Sequence, residues 1–254
     1  MTAMVPYRPA SVRPHWRYLA RQLAWAGIDL IFPPRCGGCA RPGRRFCSAC
    51  VASLHRLPES VCEKCGYPLR VSGRCSLCGL LADSALAGVR SAAFFEGPLQ
   101  RAVHQLKYKR DVILADSLAS ELQAAWRQYA LPGDRVVPVP LSAGRLRERG
   151  YNQAALLARA FAELTGLAYA ADGALRQRHT ATQVGLAREQ RRANVAGAFA
   201  GQPQHVAGRS VILIDDVCTT GATLAACAEA LRAAGARQVW GLTLGRARHP
   251  EVSS

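Results

Sequence analysis

The sequence predicts an α/β fold with a parallel sheet, preceded by a small cysteine-rich module that binds zinc. Residues 211–214 form an apolar run that leads into a short loop and an alanine-rich helical pattern. This order is typical of a buried parallel strand followed by its crossover helix. Further strand patterns at 89–95 and 238–244 lie on either side of helical ones. Eight of the ten cysteines lie in four Cys-x-x-Cys pairs before residue 80.

The composition indicates a globular chain with a basic surface. Half of the 254 residues are hydrophobic, which excludes a disordered chain. Thirty-three Lys and Arg against seventeen Asp and Glu give a net charge of +16. Such an excess favours polyanionic partners, namely nucleic acid, anionic lipid or a phosphorylated ligand. An arginine-rich composition without any such partner remains an alternative.

Residues 1–32 are predicted to form an N-terminal extension with an amphipathic helix over residues 18–31. Its apolar positions recur at helical spacing: Leu19, Leu23, Ala26 and Leu30. The pattern of a secretory signal and a run of membrane-spanning length are both missing, so we expect a cytoplasmic protein. Trp16 and Trp25 with nearby arginines would permit docking on a membrane surface, but packing against the next domain is favoured.

Residues 33–84 are predicted to be a double zinc-ribbon-like module. Paired thiolates two residues apart suit tetrahedral zinc, and a reducing compartment makes disulfides the weaker interpretation. Eight cysteines fill two sites of four and predict two structural zinc ions: Cys36, Cys39, Cys47, Cys50, Cys62, Cys65, Cys75 and Cys78. The pairs could combine sequentially or as an interleaved cross-brace.

Residues 85–250 are predicted to form the α/β domain. A helix with Pro98 in its first turn follows the first strand, and Leu99, Val103 and Leu106 form its apolar stripe. Further helices are expected at 115–129, 153–164 and 224–234, with a short strand at 135–139. The basic segment 175–198 is predicted to be a long loop with a helical turn near 187–194, acting as a lid over an anionic ligand.

The end of the strand at residue 214 carries the residues that point to chemistry. Asp215 and Asp216 suit a sugar's vicinal hydroxyls or a divalent cation. The loop and helix start that follow offer hydroxyls, free N–H groups and a helix dipole to a phosphate: Thr219, Thr220, Gly221, Ala222 and Thr223. Cys218 is expected in this loop with a passive role.

A second loop after a strand is the candidate for a diphosphate. Pro140 is followed there by the four loop residues Leu141, Ser142, Ala143 and Gly144. Three arginines flank this turn and can neutralise anionic oxygens: Arg145, Arg147 and Arg149. A solvated basic face is the competing interpretation. Asn152 is predicted to cap the helix that follows.

Residues 211–223, VILIDDVCTTGAT, resemble the phosphoribosyl diphosphate (PRPP) signature of type I phosphoribosyltransferases at all thirteen positions. The resemblance implies a Rossmann-like phosphoribosyltransferase domain. It also implies that the strand, the turn and the helix together form a site for a ribose phosphate.

Nearly the whole chain is similar to the ComF family, which is linked with bacterial competence and DNA uptake. The residues that carry this resemblance are the Phe32-Pro33-Pro34-Arg35-Cys36 lead-in, the cysteine pairs, Phe95–Gly97, Leu106-Lys107-Tyr108, Pro138-Val139-Pro140, Arg149-Gly150-Tyr151-Asn152-Gln153, Gln183, Arg191, Arg192, Asn194 and the signature. It implies that Asp215 and Asp216 hold the ribose hydroxyls, residues 219–223 the 5′-phosphate and residues 141–145 the diphosphate, with Mg²⁺ between diphosphate and ribose. Asp215, Asp216 and Arg145 are then the candidate catalytic residues.

Three functions are consistent with these sequence features. The chain could be a phosphoribosyltransferase acting on an unidentified base or amine. It could be a non-enzymatic factor that binds single-stranded DNA and works with other DNA-uptake proteins, with a regulatory PRPP site. It could also be a PRPP-sensing regulator. Glutamine-dependent amination is not supported, because the sequence shows no glutaminase domain with an N-terminal cysteine.

Overall fold

The computed structural model describes residues 33–69, 81–177 and 197–248, with positions 16, 20, 23, 25, 27, 29, 73, 75 and 78 besides. The described positions of the predicted N-terminal helix are helical, and Asp29 pairs with Arg45 of the cysteine-rich module. Leu23, expected on the apolar stripe, is instead 75% exposed. Most of the predicted lid, residues 178–196 with Gln183, Arg191, Arg192 and Asn194, lies outside the described residues.

A five-stranded parallel sheet forms the centre of the molecule. Its order is β1-β7-β6-β2-β3, and a separate antiparallel pair joins β4 to β5. The strands are β1 (Gly88–Phe94), β2 (Arg135–Pro138), β3 (Ala168–Tyr169), β4 (Ala174–Arg176), β5 (Phe199–Gly201), β6 (Ser210–Cys218) and β7 (Gln238–Arg246). The predicted parallel α/β fold is confirmed.

Helices cover both faces of this sheet. The helices with described bounds are α1 (Ser48–Ala52), α2 (Gly97–Tyr108), α3 (Leu114–Gln128), α4 (Ala143–Arg149), α5 (Gln153–Thr165), α6 (Pro203–Val206) and α7 (Ala222–Ala233). On one face α2, α3 and α5 pack on Ile212 and Ile214, and on the other α7 packs on Val211 and Leu213. Alternate residues of β6 therefore enter two cores, which is why its sequence is apolar without a break. No helix in the described ranges is long and apolar enough to cross a membrane.

Parts of the predicted secondary structure were wrong. Strand β6 continues through both aspartates to Cys218, because pairing with β7 extends to Cys218 and Arg246. Cys218 therefore lies in the sheet and not in a loop. Leu175 and Arg176, predicted to be in a long loop, belong to β4. Strands of two or three residues such as β3 and β4 are too short to show a hydrophobic period, so they could not be predicted from the sequence.

The cysteine-rich module covers the edge of the sheet at β1. The Val89 N–H donates to the Lys64 carbonyl over 2.9 Å, and the Phe94 N–H to the His55 carbonyl over 2.8 Å. Lys64 is buried, and its ammonium donates to the Leu86 carbonyl at 2.6 Å. The guanidinium of Arg90 reaches the Glu63 carbonyl at 3.0 Å. The module thus satisfies edge groups of β1 that would otherwise be open to pairing with other chains.

Candidate functional site

The carboxyl ends of β6 and β2 bring the two predicted loops together. Pro138 pairs with Ile214 in the parallel register, and the Val139 N–H donates to the Ile214 carbonyl over 2.9 Å. The chain therefore leaves β2 next to the two aspartates of β6. The two loops predicted from sequence therefore begin side by side at the edge where parallel α/β sheets bind ligands.

The two aspartates form a coupled pair at the end of β6. Asp216 is 4% exposed, and its N–H donates to the Asp215 carboxylate over 2.8 Å. The Lys107 ammonium lies 2.7 Å from the second carboxylate oxygen of Asp216. Burial raises the pKa of Asp215 to about 7, the charge of Asp216 adds to this effect, and Lys107 opposes it. Burial and the neighbouring negative charge thus both oppose ionisation of Asp215.

The threonine–glycine loop (residues 219–221) leads directly into α7. Gly221 has φ +78°, and it precedes the first residue of the helix. The Thr220 hydroxyl accepts from the Ala222 N–H at 3.4 Å. Ala222 and Thr223 lie in the first turn of α7, which carries no acidic side chain. The N–H groups and dipole of this helix start are thus available to an anion beside Asp215.

The second predicted loop is shorter than the sequence indicated. The Ser142 hydroxyl caps α4 by accepting from the Arg145 N–H at 3.4 Å. Ala143, Gly144 and Arg145 therefore form the first turn of a helix, and of the four predicted loop residues only Leu141 and the cap Ser142 precede it. The Arg145 side chain is exposed at this edge of the sheet.

The segment from Arg149 to Gln153 ties this loop to its neighbours. Asn152 caps α5 as predicted, accepting from the Ala154 N–H at 3.0 Å, and donates to the Val139 carbonyl at 3.0 Å. The Tyr151 hydroxyl donates to the Leu106 carbonyl of α2. These contacts fix the end of α2 against the loop after β2.

Two cations of the site were not assigned to it from sequence. Lys107 entered the sequence analysis only as one of the residues that carry the ComF resemblance. Arg246, the last residue of β7, is 2% exposed and places its guanidinium 2.6 Å from the Cys218 sulphur. Burial raises the pKa of Cys218, and the Arg246 guanidinium opposes this effect. Arg246 follows the strand predicted at 238–244, and a cation at that place in the sequence could have indicated a residue of the site.

The threonine–glycine loop also packs against the cysteine-rich module. A Cβ atom added to Gly221 would lie 2.6 Å from the nearest side-chain carbon of Leu81, which is fully buried. The Arg246 guanidinium lies 6.0 Å from the centre of the Tyr67 ring in the same module. The module therefore forms one wall of the site.

The eight cysteines form two groups of four that combine sequentially, Cys36/Cys39/Cys47/Cys50 and Cys62/Cys65/Cys75/Cys78. All sulphurs of a group lie within 4.8 Å of one another. The closest sulphur pairs are 3.4–3.7 Å apart. Four thiolates about 2.3 Å from a tetrahedral zinc lie about 3.8 Å apart, so both groups fit the ion. The sequential alternative is the one found, and two structural zinc sites are supported.

One cysteine in each group has a lowered pKa. Burial opposes ionisation of Cys36, but N–H groups including that of Cys47 donate to its sulphur and lower its pKa to about 6. Cys62 is buried in the same way, and backbone donors including the Cys75 N–H again lower its pKa to about 6. Thiolates are the metal-binding form, so these backbone donors favour zinc binding near neutral pH.

Comparison with known proteins agrees with both parts of the chain. Residues 27–79 match the model of the double zinc ribbon domain. Residues 149–251 match that of the phosphoribosyl transferase domain, which includes the aspartate pair and the threonine–glycine loop.

Relatives that align with both the cysteine-rich module and the α/β domain show to which family the chain belongs. DNA utilization protein YhgH of Salmonella typhi is 37% identical over 205 residues, covering 77% of this chain and 88% of that protein. Competence protein F of Haemophilus influenzae is 32% identical over 208 residues, covering 78% and 89%. The chain belongs to the ComF family. Competence protein ComFC of Bacillus subtilis, at 28% identity over 216 residues, covers 81% of each chain. The ComF resemblance inferred from the sequence is confirmed.

Proposed function

We propose that this ComF protein binds PRPP as its magnesium complex, for transfer or sensing of the phosphoribosyl group. One observation carries the proposal: the coupled pair Asp215 and Asp216 lies directly before a glycine-led helix start that has no acidic side chain in its first turn. Carboxylates suit hydroxyl groups, and a helix start suits a phosphate. Ribose 5-phosphate presents these two kinds of group.

Each part of the ligand then has a partner at this edge of the sheet. The carboxylates of Asp215 and Asp216 accept from the ribose hydroxyls, and the start of α7 with Thr219 and Thr220 holds the 5′-phosphate. Arg145, exposed after β2, meets the diphosphate. Mg²⁺ carried by the diphosphate fits here because it offsets the negative charge of the aspartate pair, and it would stabilise the departing pyrophosphate.

In a transfer reaction the protein would act mainly by positioning and electrostatics. The aspartates would fix the ribose so that its anomeric carbon faces the acceptor, and Arg145 would stabilise charge on the leaving diphosphate. The cysteine-rich module would shield the site from water along the wall formed by Leu81. These roles require no residue of the zinc groups to react.

Titration calorimetry with PRPP and Mg²⁺ tests the proposal. We expect the wild type to bind and Asp215→Asn/Asp216→Asn to bind about 100-fold more weakly, because two charged acceptors of ribose hydroxyls are lost. Asp134→Asn is the matched control, since Asp134 lies before β2 at the opposite end of the strands and should leave the affinity unchanged. A wild type that does not bind PRPP would refute the proposal.

A second candidate function, binding of single-stranded DNA, is favoured by the surface beside this site. Tyr108 is 61% exposed at the end of α2, and the Arg149 guanidinium lies 5.3 Å from its ring centre. Arg110 and Arg147 are also exposed there. Aromatic rings among cations suit unpaired bases and their phosphates. The names of the relatives, DNA utilization and competence proteins, support the same candidate.

Oligonucleotide binding measured across salt concentrations tests this candidate. If three to five phosphates are contacted, the plot of log affinity against log salt should have a slope of roughly −2 to −3.5. Arg147→Ser should reduce that slope by about 0.7. Arg209→Ser, an exposed arginine just before β6 at the opposite end of the sheet, should leave it unchanged. A flat plot for the wild type would remove the candidate.

A further inference from the structure

The Lys107 side chain points into the site, which its residue type and its position at the end of a helix would not predict. It lies in the last turn of α2, where neighbouring Tyr108 and Lys109 are exposed. Its side chain is only 22% exposed and turns towards β6, where the ammonium lies 2.7 Å from the Asp216 carboxylate. A lysine at a helix end would ordinarily remain in water. This one instead reaches the aspartate pair.

The structure gives Asp216 one cationic partner. The Asp216 side chain is 6% exposed, and within the described ranges Lys107 is the only cation at ion-pair distance from it. The contacted oxygen receives no further hydrogen bond from a described residue. A buried carboxylate without a partner is costly, so loss of Lys107 would change its charge or its position.

The end of α2 is held from two sides. The Tyr151 hydroxyl donates to the Leu106 carbonyl, and the Arg149 guanidinium stacks on the Tyr108 ring at 5.3 Å. Both residues belong to the segment that also ties down the loop after β2 through Asn152. Lys107 therefore approaches Asp216 from a backbone that is fixed relative to the site.

We propose that Lys107 is a positioning residue of the PRPP site, orienting the Asp216 carboxylate beside Asp215. The inference rests on the proposed function. Burial and the charge of Asp216 raise the pKa of Asp215, and the Lys107 ammonium lowers it. Ligand binding requires release of the Asp215 proton.

Calorimetry with PRPP and Mg²⁺ between pH 5.5 and 8.5 tests the role of Lys107. The wild-type affinity should rise with pH as Asp215 loses its proton. Lys107→Met should weaken binding on the order of 30-fold at neutral pH, because an unpaired buried carboxylate remains. It should also move the midpoint of the pH profile upwards by about one unit, because a nearby cation lowers carboxyl pKa values.

Two further variants separate positioning from general stability. Lys107→Arg keeps the cation and should restore the wild-type midpoint with part of the affinity. Lys109→Met removes an exposed cation two residues away and should change neither quantity. Carbon NMR titration of the aspartate carboxyls without ligand should show the same upward movement in Lys107→Met, which a variant that had merely lost packing would not show.

The outcomes distinguish this inference from the function on which it rests. A wild type that does not bind PRPP refutes the proposed function and the inference with it. A wild type that binds, with Lys107→Met matching it in affinity and in pH midpoint, refutes the inference alone.

Discussion

Loss of the second zinc group, at Cys62, Cys65, Cys75 and Cys78, is expected to abolish PRPP binding although no zinc ligand belongs to the site. Structural zinc contributes on the order of 10 kcal/mol to a small module. The second group is followed by Leu81, which packs on Gly221 of the threonine–glycine loop. Without the ion this wall should unfold and the loop lose its support. Metal analysis before and after chelation, combined with calorimetry, measures both effects.

A matched pair of cysteine variants separates the two zinc groups. Cys62→Ser removes a fully buried ligand of the second group, and Cys39→Ser an exposed ligand of the first. Each should reduce the zinc content from two equivalents to about one. Only Cys62→Ser should abolish PRPP binding, because only the second group supports the threonine–glycine loop. Equal affinities in the two variants would disprove the coupling, and one equivalent of zinc in the wild type would contradict the two-site assignment.

Gly221→Ala is expected to lower the free energy of unfolding by roughly 2–4 kcal/mol and PRPP affinity by at least about tenfold. The backbone there has φ +78°, which a Cβ disfavours. The same Cβ would lie 2.6 Å from a side-chain carbon of Leu81. The loop must shift to relieve this contact, and its N–H groups would then move away from the phosphate. Denaturant unfolding and calorimetry give the two quantities.

Adding Leu81→Ala to Gly221→Ala separates crowding from backbone strain. The double variant should recover part of the lost PRPP affinity, because the crowded side chain is gone while φ remains positive. Gly208→Ala is the control for strain alone, since that residue has φ +70° and nothing within 4 Å of an added Cβ. It should cost stability without affecting PRPP affinity. A double variant no better than Gly221→Ala would exclude crowding by Leu81 as the cause.

The zinc groups show how far a local pattern predicts structure. Ligands two residues apart determine the chemistry of each cysteine pair, so the metal and the number of ions follow from the sequence. The pairing did not follow, because sequential and interleaved arrangements use the same residues. The fold decided it by placing Cys36 beside Cys50 and Cys62 beside Cys78.

The strand with the aspartate pair was likewise predicted from the sequence only in part. Its apolar run predicted a buried parallel strand. A strand whose alternate residues enter two cores must be apolar at every one of those positions. The sequence placed the turn directly after residue 214, whereas β6 continues to Cys218. Hydrogen bonds to β7 decide that length, and β7 lies twenty residues further along the chain.

By itself, the sequence determined the fold class, the zinc chemistry, the family and the signature of the candidate ligand site. These depend on patterns within a short stretch of chain, where residue type and spacing suffice. The tertiary structure alone decided that Lys107 contacts Asp216, that Arg246 contacts Cys218 and that Leu81 supports Gly221. Each of these contacts joins residues from separate elements, and long-range packing has no signature in local spacing.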